Sequence, residues 1–204
     1  THELRTPLTT FVLYSQMLAD GMVPEGEASR VYLSTLRSEA TRLQRIVENV
    51  LEFARLGRAV APKSNADAVA VSDILNQALP TLQQRAAQAG MSLEVSVDDS
   101  AGRIGVRTSP DAVARVLTNL VDNACKYASD AEDKRISIRV GAASGRVVFR
   151  VRDHGPGVPA SERRRIFLAF ARGKSHESSP AQGLGLGLSL ARAIARQHGG
   201  DLRL

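Results

Sequence analysis

Asn119-Leu120-Val121-Asp122-Asn123-Ala124-Cys125-Lys126-Tyr127 closes a segment that starts near Asp111, and its spacing decides how the second half of the chain folds. Val113, Val116, Leu117, Leu120 and Ala124 recur at the intervals of one buried helical face. Asn119, Asn123, Lys126 and Tyr127 fall at i, i+4, i+7 and i+8, on a different face. A helix built this way buries one stripe and offers two amides and an ammonium on another. An amide oxygen is a hard ligand suited to Mg2+, and a Lys beside it balances phosphate charge. Two Asn alone would equally suit a solvated surface, so their meaning depends on what surrounds them. Cys125 reads as a small half-buried filler.

On the N-terminal side of this helix, Ser72 is placed to cap another that carries Leu75, Leu79, Leu82 and Ala86 and stops at Gly90. Leu93-Val95-Val97 alternate as a strand, and Ile104 and Val106 point to a second one. On the C-terminal side, Ile136-Ile138-Val140 and Val147-Phe149-Val151 alternate about a turn-like stretch, Gly141 to Gly145, which predicts a β-hairpin. A last helix runs from about Leu184 to His198, with Gly199-Gly200 as its stop. This mixture predicts an α/β sandwich with helices on one face over residues 71–204.

Residues 57–70, with Pro62, Ser64, Asn65 and several Ala, carry no period and read as a linker. The part before it, residues 1–56, is helical throughout. Leu33, Leu36, Ala40, Leu43, Val47, Val50 and Ala54 follow a 3-4 spacing, and Leu4, Leu8, Phe11, Ser15 and Leu18 repeat it upstream of a break at Asp20 to Gly26. The two segments form a helical hairpin. One apolar seam on two helices is poorly covered by the pair alone, so a homodimeric four-helix bundle is the economical arrangement.

Composition narrows the field. Hydrophobic residues at 43% and charged residues at 24% describe a globular chain, and a net charge of +6 favours an anionic partner. The run Arg163-Arg164-Arg165 lacks interleaved aromatics, which argues against a nucleic-acid site. A single Cys excludes an intrachain disulfide and any zinc site built on several thiolates, and fits a reducing compartment. No apolar run reaches the roughly 20 residues that span a bilayer, so no membrane contact is expected of these residues. The first residue is not Met, and a strand is expected to begin at Asp201; the expectation is a piece of a longer protein.

Three further strings carry chemistry. Asp153-His154-Gly155-Pro156-Gly157-Val158 follows a strand; turn-forming residues there serve a simple reversal or a close backbone approach to a ligand. Gly183-Leu184-Gly185-Leu186-Gly187-Leu188 opens the last helix, where bare N–H groups and the positive end of the helix dipole suit phosphate oxygens. It follows no strand and lacks the Gly-Lys-Ser of a P-loop, which sets aside both common nucleotide fingerprints. At the other end, His2-Glu3-Leu4-Arg5-Thr6-Pro7-Leu8 places His2 opposite the seam with Thr6 one turn away. Neutral imidazole is a nitrogen nucleophile, and a neighbouring carboxylate can hold its other nitrogen protonated.

Together these strings resemble sensor histidine kinases of two-component systems. The His2 string is similar to the phospho-acceptor box, the Asn119 string to the asparagine box, the Asp153 string to the Asp-Gly box, and Ile166-Phe167-Leu168-Ala169-Phe170 to the phenylalanine box. The polar stretch Arg172 to Gln182 then stands as a mobile lid. The resemblance implies a phospho-acceptor hairpin followed by an ATP-binding domain of the histidine kinase, gyrase and heat-shock chaperone type, with ATP and Mg2+ as cofactors. It implies that His2 accepts the phosphoryl group, aided by Glu3, and that Thr6 serves hydrolysis of a phosphorylated partner. It assigns nucleotide binding to Asn119, Asn123, Lys126, Tyr127, Asp153, Gly155, Gly157, Phe170, Arg172, Gly183, Leu184, Gly185, Leu186, Gly187 and Leu188, with Asn123 on the metal and Asp153 on adenine. The implied partners are a second copy and the receiver domain of a response regulator, at the cytoplasmic side of an inner-membrane sensor. One departure from the pattern is Ser109, where many members carry Asp. The second half alone also resembles gyrase and chaperone ATPases, but the acceptor box and heptads argue against them. A scaffold without phosphoryl transfer is disfavoured because the polar positions are filled, and a pure regulator phosphatase is compatible with Thr6.

Overall fold

The computed structural model describes residues 2–56, 68–102, 104–171 and 185–204, with the side chains of residues 2–4, 45, 56 and 100 outside that description. Two helices lead, α1 (His2–Ala19) and α2 (Glu27–Leu56), packed as an antiparallel pair. Tyr14 and Tyr32 lean together with ring centroids 4.5 Å apart. Around them Phe11 and Leu18 of α1 and Leu36 and Leu43 of α2 are half-buried, and Ile46 is buried. The heptad stripe expected on α2 is split: Leu33 and Val47 remain 55% and 51% exposed, as do Leu8, Val12 and Leu13 of α1 at 54%, 53% and 52%. A heptad face is wide enough for two neighbours, and the chain supplies one.

The second unit opens with β1 (Ala68–Ala70), which pairs antiparallel with β3 (Gly105–Arg107), so three residues expected in the linker belong to a strand. β1 runs directly into α3 (Val71–Gln88), with Ala70 in the cap position and no side-chain cap; Ser72 lies inside the helix because strand pairing sets where it begins. Next come β2 (Ser92–Val97), the short α4 (Asp99–Gly102), α5 (Pro110–Tyr127), β4 (Arg135–Ala143) and β5 (Arg146–Arg152). A three-stranded sheet runs β2-β4-β5, parallel in its first pair and antiparallel in its second. The hairpin reverses at Ser144-Gly145, with φ of 51° and 71°, the left-handed pair of a two-residue turn. Gly141, expected in that turn, stays in β4 opposite Val148. A 3-10 turn (Arg165–Phe167) precedes α6 (Gly187–Gln197).

α3 and α5 lie on one face of the sheet, where Leu75, Leu82, Leu117 and Val121 meet Ile136, Ile138 and Val140 in a fully or nearly fully buried core. This is the α/β sandwich that the alternation predicts. The strand expected at Asp201 is absent among the described residues; Asp201 instead accepts from Arg192 at 2.9 Å and Arg196 at 3.1 Å. The end of α2 rests on this unit: Phe53 packs on Ala112, Val116, Leu190 and Ile194, and Glu52 pairs with Arg115 at 2.5 Å.

Candidate functional site

A cleft of about 1120 Å³ is bordered by α5, the chain after β5 and the start of α6. From α5 come Asn119, Asn123, Lys126 and Tyr127, spaced so that one helix face supplies all four. The opposite stripe, Leu117, Val121 and Ala124, is buried in the sandwich core and fixes the roll of the helix. Asn119 Nδ2 donates to the Arg115 carbonyl at 3.0 Å. Asn123 Nδ2 is buried with no hydrogen-bond partner among the described residues. Such an atom is costly unless a ligand meets it. The Lys126 ammonium sits 4.8 Å from the Tyr127 ring centroid.

The first residue of α6 closes on these amides. A Cβ built on Gly187 would stand 3.5 Å from Asn119 Oδ1 and 3.6 Å from both polar atoms of Asn123. The N-terminus of an 11-residue helix thus faces two amides across a gap that lacks a side chain. Both features favour phosphate oxygens or a hydrated cation attached to them. Gly185 has φ of +67°, and a Cβ there would lie 2.5 Å from the Ala171 carbonyl oxygen. Only glycine fits that approach, and the Phe170 N–H donates to the Gly185 carbonyl at 3.1 Å, fixing the strip ahead of α6. Leu186 and Leu188 border the cleft beside Gly187.

The Asp153 loop forms another wall. Gly155 N–H donates to Asp153 Oδ1 at 2.8 Å, and a Cβ on Gly155 would lie 3.0 Å from the Tyr127 carbonyl. The missing side chain lets the loop close on the end of α5, with Asp153 and Gly157 lining the cleft. Phe170 stands apart from the other assigned residues. Its φ is 62°, its ring is 62% exposed, and it does not line the cleft. Phe167 does, with the Arg192 guanidinium 4.8 Å over its ring.

Sequence reading also missed Arg85, which grips Asp122 between the two amides at 2.8 and 2.9 Å and so ties α3 to α5. No local signal joins positions 37 apart. Asp201, held well below the usual carboxylate range by Arg192 and Arg196, anchors the segment after α6. Burial, reinforced by Asp122, pushes the Cys125 thiol up, as suits a filler. Among the described residues no group of three or more His, Cys, Asp or Glu side chains is placed to hold a metal. Asn123 Oδ1, facing the gap at Gly187, is a hard oxygen that fits Mg2+, which keeps water and substrate phosphates in its shell and needs few protein ligands, while the unpaired Nδ2 suits a phosphate oxygen.

His2 and Glu3 occupy the first turn of α1, and their side chains lie outside the description; Thr6, also on α1, is exposed. The structure therefore brings Asn119, Asn123, Lys126, Tyr127, Asp153, Gly157, Gly185, Leu186, Gly187 and Leu188 to one cleft and leaves His2, Glu3 and Thr6 on a separate element. Arg172, Gly183, Leu184 and the expected lid fall outside the described residues.

Two family models match the chain: "His Kinase A (phospho-acceptor) domain" over residues 1–59 and "Histidine kinase-, DNA gyrase B-, and HSP90-like ATPase" over residues 108–204. The sensor histidine kinase MtrB of Mycobacterium tuberculosis is 32% identical over 99% of this chain and 35% of its own length. The sensor protein kinase WalK of Staphylococcus saprophyticus is 29% identical over 99% of this chain and 32% of its own. The chain spans about a third of these curated relatives. Among solved structures, full-length ShkA in complex with AMPPNP superposes with a TM-score of 0.66 at 28% identity, covering 97% of this chain and 40% of that one. Histidine kinase AdeS of Acinetobacter baumannii gives 0.71 at 22% identity, covering 97% and 87%, which shows the shared fold.

Proposed function

The chain belongs to the sensor histidine kinases of two-component systems, and from that premise we propose that it binds Mg-ATP in the cleft and moves the γ-phosphoryl group onto His2. The observation that carries this reading is the unpartnered Asn123 amide facing Gly187 at the start of α6. A ring nitrogen of neutral His2 attacks the γ-phosphorus; an N–P bond forms, the bridging P–O bond breaks, and ADP leaves with the electron pair. Glu3 holds the other ring nitrogen protonated and takes charge of its orientation. Lys126 balances phosphate charge, the α6 N–H groups receive phosphate oxygens, and Asp153 accepts the adenine amino group. Asn123 would hold Mg2+, which when bound neutralises phosphate charge.

Phosphohistidine then supplies the phosphoryl group to an aspartate of a response regulator receiver domain. The exposed apolar residues of α1 and α2 support a homodimer. No helix among the described residues is long and apolar enough to cross a membrane; a membrane-anchored parent is proposed from its sensor relatives. Thr6 on the exposed side of α1 supports a second activity, hydrolysis of the phosphorylated regulator.

The test is incubation with γ-labelled ATP and Mg2+, then acid and alkali treatment of the protein. The expected label is acid-labile and alkali-stable. His2→Gln is expected to abolish it while AMPPNP affinity stays within about twofold of wild type. Loss of both would overturn the division of labour between hairpin and cleft.

A further inference from the structure

The face of the three-stranded sheet turned away from α3 and α5 is basic. Arg135 and Arg139 of β4 and Arg150 and Arg152 of β5 are all exposed, and Arg139 stands directly opposite Arg150 in the antiparallel register. Like charges in that position destabilise a strand pair. Three arginines of this unit are neutralised close by: Arg85 by Asp122, Arg192 by Asp201, and on this face Arg135 by Asp133, whose carboxyl is held down to about 2 by the Arg135 guanidinium. Among the described residues no carboxylate pairs with Arg139, Arg150 or Arg152. The four arginines and His154 line a recess of about 380 Å³ that also holds Glu94 and Ser137.

We propose that this recess is a docking surface for an acidic, extended segment of a partner protein. The guanidinium fork matches a carboxylate with two parallel hydrogen bonds. Carboxylates at i and i+2 of an extended chain lie about 7 Å apart, the repeat that separates Arg150 from Arg152 along β5. Glu94, 62% exposed in its side chain, favours a protein over a uniform polyanion. A lipid surface or nucleic acid sets negative charge against it, whereas a peptide can place a hydroxyl or basic residue there. The lining has no Phe, Tyr or Trp side chain on which bases would stack. It has no large apolar side chain to enter a bilayer either.

A labelled peptide of alternating Glu and Ser, titrated by fluorescence anisotropy near 0.1 M salt, tests the assignment. Arg139→Glu with Arg150→Glu is expected to weaken binding at least about tenfold. Arg163→Glu with Arg164→Glu, an equal charge change on the other basic run, is expected to leave it within about twofold. Phosphatidylserine vesicles and a single-stranded oligonucleotide of equal charge are expected to bind more weakly than the peptide. Equal weakening by both double variants, no peptide binding, or tighter binding of vesicles or oligonucleotide through Arg139 and Arg150 would overturn it. All four positions are exposed, and a circular dichroism melt checks folding. Should the reversal unfold the protein, Arg139→Gln with Arg150→Gln carries the comparison, with a loss of at least about threefold expected. None of these readouts involves ATP, so their failure is distinct from failure of the kinase reading.

Discussion

Asn123 carries a buried amide nitrogen with no hydrogen-bond partner among the described residues. Its removal takes away a desolvated donor along with a few packing atoms, two effects of opposite sign. Asn123→Ala is therefore expected to abolish Mg-dependent AMPPNP binding by calorimetry while unfolding free energy in urea moves by less than about 1 kcal/mol. A loss of several kcal/mol would mark the residue as structural. The role proposed for Thr6 is positional, since its neutral hydroxyl is a weak base. Thr6→Ala is expected to keep self-labelling and to slow decay of a phosphorylated regulator about tenfold, roughly 1.4 kcal/mol of barrier. Equal decay would remove the water-orienting role, and parallel loss of label would point to a damaged helix.

Among the elements, α6 has the most demanding placement. Its N-terminus must meet two amides of α5 at Gly187, while its far end is held by Asp201 through Arg192 and Arg196. Because folding lowers the Asp201 pKa, its stabilisation is present above the unfolded value of about 3.9 and fades as pH falls below it. Asp201→Asn is expected to flatten the decline of urea midpoint between about pH 5 and pH 2. At neutral pH the cost should stay below about 1 kcal/mol, since the pair is partly exposed. An unchanged pH slope would exclude the clamp. Element identity was legible because α5, β4 and β5 carry strong periods, whereas ends set by pairing, such as Val71 after β1, carry no local mark.

The whole molecule leaves an apolar face open on the hairpin, with Leu33 and Val47 on α2 and Leu8 and Val12 on α1 about half exposed. A second copy covers such a face as a four-helix bundle. Leu33→Glu with Val47→Glu is expected to shift sedimentation from dimer to monomer while AMPPNP affinity stays within about twofold. A dimer that survives would place the interface elsewhere. The order of the longer helices and strands and the polar strings were determined by the sequence alone, because periodicity and turn chemistry are local properties. Which face of α2 meets α1, the presence of Phe167 at the cleft, and the approach of Gly187 to Asn119 and Asn123 belong to the tertiary structure. So does the gathering of unpaired arginines on one side of the sheet. Each depends on residues distant in sequence, and only packing brings their side chains within reach of one another.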